Sequence, residues 1–220
     1  MPKSLLYQCS PEIYWPKTIE VAELPLVTCI MPTANRQEFI PKAVKYFLEQ
    51  DYPYKELIII DDGLHSVLNL IPNLYCLRYV YLPQSLSIGT KRNIACEKAS
   101  GSIIMHWDDD DWYAPNWITY QVNAMLNAEA DICGLSHVQF YSIKENRYYI
   151  KKNTDAKRNW LCGATLAYRK SFWNKNPFRN IHIGEDILFV RNKNASVFAH
   201  GYFEGFLAIV HADNVRIRES

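Results

Sequence analysis

With 220 residues, the chain has the size of one domain, or one domain with an extension, and can bury roughly 70% of its unfolded surface. Hydrophobic residues make up 49% and charged residues 21%, which excludes a disordered or fibrous chain and fits a soluble globular one. A formal net charge of +1 excludes a global field that would gather nucleic acid or anionic membrane, and no stretch reaches the ~18 apolar residues of a membrane span.

Residues 1–25 read as an arm. Pro2, Pro11, Pro16 and Pro25 punctuate it, and Leu5, Leu6, Tyr7, Tyr14 and Trp15 give it something to bury on the domain or on a partner. Its first ten residues carry no long apolar run, so no signal peptide is expected. A first strand spans residues 26–31, with Pro32-Thr33-Ala34-Asn35-Arg36 as the loop at its carboxyl end. A helix from about residue 37 to 50 follows, with Ile40, Val44 and Leu48 on one face and Pro41 in the first turn, where a missing N–H costs little. Residues 57–60 form a second apolar strand that ends in Asp61-Asp62-Gly63. A third strand covers residues 76–82, and a helix covers about 90–99. This alternation of strand and helix is a right-handed nucleotide-binding half-sheet in the Rossmann manner.

The strand beginning at Gly101 runs straight into Asp108, Asp109, Asp110 and Asp111. In open α/β sheets ligands bind beyond the carboxyl ends of the strands, so the acids are expected in a crevice. Neighbouring carboxylates repel by roughly 1–4 kcal/mol per pair at ~4 Å. A hard divalent cation that also touches phosphate, Mg²⁺ or Mn²⁺, offsets that repulsion. A solvated acidic loop, or a set of turn and cap residues, is the alternative.

Beyond Pro115 a helix carries Trp117, Tyr120, Ala124 and Met125. Residues 131–141 and 147–150 resemble the strands of a hairpin, and residues 151–158 a polar loop. A strand over 161–168, with Gly163 as a point of close approach, is followed by a short helix over about 169–173. Gly184-Glu185-Asp186 opens another helix, and the apolar run 206–210 ends at His211. The six cysteines, at positions 9, 29, 76, 96, 133 and 162, lack paired metal-ligand spacing and read as reduced thiols of a cytoplasmic protein. Trp107, Trp112, Trp117 and Trp160 suit core packing better than sugar stacking, and no role is assigned to His65, His106, His137, His182 or His200.

Several runs now stand in order. They are Val-Thr-Cys-Ile-Met-Pro-Thr-Ala-Asn-Arg from residue 27, Ile-Ile-Ile-Asp-Asp-Gly from 58, Gly-Thr-Lys-Arg-Asn-Ile-Ala from 89, the Asp-x-Asp cluster, and Gly-Glu-Asp at 184. Together, over residues 26 to about 214, they resemble the family-2 glycosyltransferases of the GT-A fold. The resemblance implies a single α/β domain: a Rossmann-like, mostly parallel central sheet flanked by helices, with a smaller acceptor-side β-hairpin region. The nucleotide-sugar half would be residues 26–112 and the acceptor half 113–220.

It also implies inverting sugar transfer from a nucleotide-diphosphate sugar, usually UDP-linked, with Mg²⁺ or Mn²⁺. Asp110 would bind metal, Asp108 or Asp109 would touch ribose, sugar or metal-bound water, and Asp111 would orient them. Asp62 would accept the base N–H, with Asp61 bracing its loop or both simply forming a turn. Pro32, Thr33, Asn35 and Arg36 would lie over the nucleotide. Arg92 would face the diphosphate or brace the aspartates. Lys91 is the weaker candidate, since a lone cation on a helix is more often solvated. Inversion needs a base on the acceptor side: Asp186 matches it, with Glu185 as a neighbour contacting acceptor, while helix N-terminal acids with no other role are the plain alternative. His211 would complete the metal site or be satisfied at a sheet end. The acceptor would be a glycan, a lipid-linked molecule reached from the inner face of the membrane, or a small hydroxyl compound. A nucleotidyltransferase is disfavoured because the first loop has no glycine. A binding module without turnover is the non-enzymatic rival.

Overall fold

The computed structural model describes residues 24–152, 160–212 and 214. The arm up to residue 23, Cys9, and the loop from 153 to 158 lie outside the described residues.

Three near-continuous apolar runs build the centre. β1 (Val27–Thr33) lies between β2 (Lys55–Asp61) and β4 (Ile103–His106), all parallel. Period-two alternation then sends neighbouring side chains to opposite faces. Cys29, Met31, Leu57, Ile59 and Met105 pack on Val44 and Phe47 of α1 (Ile40–Leu48). Ile30, Ile58, Ile60 and Ile104 pack on Ala95 and Cys96 of α2 (Ile88–Lys98). A strand buried on both faces needs no polar side, which explains the unbroken apolar runs.

β3 (Leu77–Tyr81) extends the sheet at one edge. At the other side lie β9 (Ala167–Arg169), β6 (Ile132–Leu135) and β10 (Val197–His200), giving the order β10-β6-β9-β4-β1-β2-β3 among the described residues. Only β9 runs against its neighbours. A second sheet of four described strands has the order β5-β11-β7-β8, from β5 (Trp112–Tyr113), β7 (His137–Ser142), β8 (Arg147–Lys152) and β11 (Phe206–Val210). The remaining helices are α3 (Trp117–Asn127), α4 (Lys170–Lys175) and α5 (Glu185–Val190). None of the described helices is long and apolar enough to cross a membrane.

Several expectations need correction. Pro32 and Thr33 end β1 rather than form its loop. β4 stops opposite Ile30, so at Pro32 the strand has a neighbour only on the β2 side, an edge position that tolerates proline. α1 begins at Ile40, not at 37, because Asn35 turns left-handed at φ 55° and the chain bends through Arg36 first. α2 begins earlier than 90, since Ser87 caps it by accepting the Thr90 N–H at 3.1 Å. The run 131–141 is two strands in different sheets, broken at Ser136. The run 161–168 is irregular around a 3-10 turn at Gly163–Thr165, and only its end is strand. The expected hairpin of β7 and β8 is present, enlarged by β11 lying parallel to β7. Cys29, Cys76, Cys96, Cys133 and Cys162 are free thiols.

Candidate active site

The carboxyl ends of β1, β2 and β4 lie at one edge of the sheet, with Thr33 opposite Asp61 and Ile30 opposite His106. Beyond that edge opens a cleft of about 640 Å³, lined by Thr33, Arg36, Asp62, Lys91, Arg92, Asp108, Asp109, Asp110, Glu185 and Asp186, and also by Phe140, Lys151 and Trp160.

The acidic tip is anchored before its carboxylates are aimed. Trp107 is buried, donates its indole N–H to the Ala43 carbonyl at 3.1 Å, and stacks on Tyr113 at 4.0 Å between centroids. The Tyr113 hydroxyl accepts the Asp108 N–H at 2.8 Å. This turn sends alternate acids in different directions. Asp109 points inward: it is 4% exposed, accepts from Thr33 Oγ1 at 2.6 Å and pairs with Arg36 at 2.7 Å. Burial pushes its pKa up to about 6, against the pull of Arg36. One carboxylate oxygen from each of Asp108, Asp110 and Asp111 lies within 4.8 Å of the others. Asp111 is buried and accepts the Ile209 N–H at 2.9 Å, which ties the tip to β11. Asp110 Oδ2 meets Arg36 at 2.8 Å, His211 Nε2 at 3.1 Å and Asn214 Nδ2 at 3.1 Å. Burial opposes the charge on Arg36, but Asp109 and Asp110 outweigh it and hold the guanidinium above its ordinary range.

Asp108 and Asp110 are therefore the outward pair of the Asp-x-Asp pattern. Asp109, expected at the donor, also lines the cleft, with its buried carboxylate fastening Arg36. Asn214 is an addition that sequence reasoning missed.

Lys91 and Arg92, expected at the donor with a solvated helix face as the alternative, are both buried and line the cleft. Lys91 Nζ donates to Asp62 Oδ1 at 2.6 Å and to the Thr33 carbonyl at 3.2 Å. Asp62 Oδ2 accepts the Leu86 N–H at 2.8 Å, so the carboxylate is held from two sides at the cleft wall. Asp61 braces its loop through the N–H groups of Gly63 and Val67 and the Tyr79 hydroxyl. Asn35 accepts the Leu64 N–H at 2.7 Å and joins the first loop to that one.

On the other wall Gly184, at φ 85°, turns the chain into α5. Glu185 is 4% exposed and ion-paired with the equally buried Arg92. Its pKa is raised, by burial first, with Arg92 pulling down and Asp186 pushing up. Glu185, expected beside the acceptor, lines the cleft and also fastens α5 to α2. Asp186 is part-exposed in the cleft, accepting the Ile187 N–H at 2.7 Å. Removing one partner of a buried ion pair costs about 3–5 kcal/mol, because a lone charge stays in a poor solvent. Arg92→Met is accordingly expected to lose that much in urea unfolding, and Arg92→Met with Glu185→Met together to regain most of it. A single variant as stable as the double would show that the pair does not join the helices.

A model of the family described as "Glycosyl transferase family 2" matches residues 28–202. An uncharacterized glycosyltransferase of Haemophilus influenzae is 32% identical over 108 residues, 47% of this chain and 43% of that protein. The chain spans less than half the length of the curated relatives that it matches first. Among solved structures, a mannosyltransferase of Pyrobaculum calidifontis in complex with GDP-Man and Mn²⁺ is similar at a TM-score of 0.70 and 15% identity, covering 93% of this chain and 61% of that one. S. aureus TarS 1-349 in complex with UDP-GlcNAc is similar at 0.65 and 18%, covering 84% and 59%. These likenesses show the fold, the GT-A arrangement of a mostly parallel sheet between helices. The match over residues 28–202 decides the rest: the chain belongs to glycosyl transferase family 2.

Proposed function

We propose that the chain is a metal-dependent, inverting glycosyltransferase that moves a sugar from a nucleotide-diphosphate donor, UDP-linked, to a hydroxyl acceptor. One observation carries the reading: a single cleft gathers the outward acids Asp108 and Asp110 at the tip of β4 and Asp186 at the start of α5. Leaving-group stabilisation and proton removal are thereby available on two sides of one cavity.

The donor set suits Mg²⁺ or Mn²⁺. It would consist of carboxylate oxygens of Asp108 and Asp110, with that of Asp111 beside them, and the imidazole of His211 next to Asp110, hard and intermediate ligands. When bound, such an ion supplies Lewis-acid stabilisation of the diphosphate. The chain's own residues do the remainder. Asp62, held by Lys91 and the Leu86 N–H, presents its carboxylate at the end of β2, where the base N–H would donate. Thr33 and Arg36 keep Asp109 turned away so that Asp108 stays aimed at the donor. Asp186 takes the acceptor hydroxyl proton as that oxygen bonds to the anomeric carbon from the face opposite the diphosphate. The bond from carbon to phosphate oxygen breaks, and its electron pair leaves with the nucleotide.

The P. calidifontis mannosyltransferase structure is a complex with GDP-Man and Mn²⁺, and the TarS 1-349 structure a complex with UDP-GlcNAc. A panel of UDP-, GDP- and dTDP-sugars, each with Mn²⁺ or with chelator, separates the choices. UDP-sugars are expected to raise the melting temperature only with metal, by a shift equivalent to about 2.7 kcal/mol at ~100 times the dissociation constant. A shift with GDP-sugars alone would replace the nucleotide, and equal shifts in chelator would remove the metal. Metal-dependent binding with no nucleotide release for any acceptor would leave a binding module.

A further inference from the structure

His106 is the last residue of β4 and is 1% exposed. Nothing in the donor chemistry above uses it. Its Nδ1 lies 2.5 Å from the Gly163 carbonyl, and its Nε2 lies 3.5 Å from the Tyr168 hydroxyl. A carbonyl only accepts, so Nδ1 carries the hydrogen and Nε2 is left to accept from Tyr168. The ring is held edge-on against Tyr168 and tilted against Phe178, at 5.5 and 5.6 Å between centroids.

Gly163 is the other half of the contact. A Cβ at this position would lie 2.1 Å from Asp186 Oδ2 and 3.0 Å from its Cγ. The Asp186 carboxylate thus occupies the space that any larger residue would fill. The backbone turn Gly163–Thr165 forms the surface on which that carboxylate rests. Among the described residues, its hydrogen-bond anchor is the Ile187 N–H, on its own helix.

We propose that His106 is a positioning residue for the catalytic base: by holding the Gly163 carbonyl it fixes the turn against which Asp186 is aimed. The strand that carries the donor-side acids would then also set the acceptor-side carboxylate, and the two halves of the reaction would be registered through one imidazole. This rests on the reading of Asp186 as base.

Three variants test it, with kcat, KM for donor and acceptor, and Mn²⁺-dependent UDP affinity as readouts. His106→Leu removes the side-chain donor to the Gly163 carbonyl and leaves it only the Leu166 N–H at 3.4 Å among the described residues. Displacing a reacting group by about 1 Å costs about 10²-fold in rate, so kcat is expected to fall by that order while UDP affinity stays within about twofold. The amide nitrogen of Asn reaches the place of Nδ1, whereas that of Gln reaches the place of Nε2. His106→Asn is therefore expected to restore most of kcat and His106→Gln to remain slow. Where the Leu variant does not fold, the Asn and Gln pair decides alone. Wild-type kcat in His106→Leu, UDP affinity falling in step with kcat, or equal rates for Asn and Gln would each overturn the proposal. Asp186→Asn run in parallel keeps the two ideas apart. Full activity there removes the base itself, whereas an inactive Asp186→Asn beside an unimpaired His106→Leu removes only the positioning role.

Discussion

Asp186→Asn is expected to fold, to bind donor and metal as the parent does, and to transfer sugar about 10²–10⁴ times more slowly, the range that a positioned general base contributes. The substitution is nearly isosteric. The amide oxygen of Asn can still accept the Ile187 N–H that Asp186 accepts at 2.7 Å. The amide group also fits the space that Gly163 leaves open. What is lost is a group able to take a proton as the acceptor oxygen attacks. The loss amounts to about 3–5 kcal/mol of transition-state stabilisation. Nucleotide release in the presence of acceptor gives the rate, and titration calorimetry of UDP with Mn²⁺ gives the ground state. A fall in kcat with unchanged UDP affinity is the signature of an interaction made only in the transition state. Turnover near the parent rate would move the base elsewhere in the cleft.

The central strands were legible because burial on both faces leaves a simple mark, an unbroken apolar run closed by acids or turns. The acceptor half carried a subtler mark. Ile132-Cys133-Gly134-Leu135 is continuously apolar, as a strand inside a parallel sheet is, whereas His137-Val138-Gln139-Phe140-Tyr141 alternates, as a half-covered strand does. The change of period at Ser136 is the switch between sheets, and reading the two as one strand erased it. The 3-10 turn at Gly163 left no such trace: two of the groups that pack on it, the His106 imidazole and the Asp186 carboxylate, come from distant parts of the chain.

The site shows the same division. Which acids reach the cleft was readable from their place after β4, but not which way each points. That depends on Tyr113 holding the Asp108 N–H and on Thr33 and Arg36 drawing Asp109 inward. Lys91 and Arg92 could be placed near the donor from sequence, but what each one pairs with could not. Their counter-charges, Asp62 and Glu185, stand 29 and 93 positions away. A buried cation is only as visible in sequence as its partner, and long-range partners are invisible to local pattern.

That inward and outward division makes the acidic run testable one residue at a time. In Asp110→Ala the Mn²⁺-dependent stabilisation by UDP is expected to vanish, a loss of about 2.7 kcal/mol at a ligand concentration ~100 times the dissociation constant of the parent. The fold should survive, because Arg36 keeps Asp109 at 2.7 Å when Asp110 is gone. Removing one of three carboxylates whose oxygens cluster within 4.8 Å relieves mutual repulsion but also removes a partner of Arg36, His211 and Asn214, so without metal the variant should melt close to the parent. Asp109→Asn should behave in the opposite way. It weakens a buried charge pair and so lowers the melting temperature without metal, yet it leaves Asp108, Asp110 and His211 in place and so keeps the Mn²⁺-dependent increment. Differential scanning of the two variants, with and without Mn²⁺ and UDP, reads both quantities. If Asp109→Asn lost the metal increment and Asp110→Ala kept it, the ion would sit one residue earlier along the chain, and the turn held by Tyr113 would have to rotate to let it.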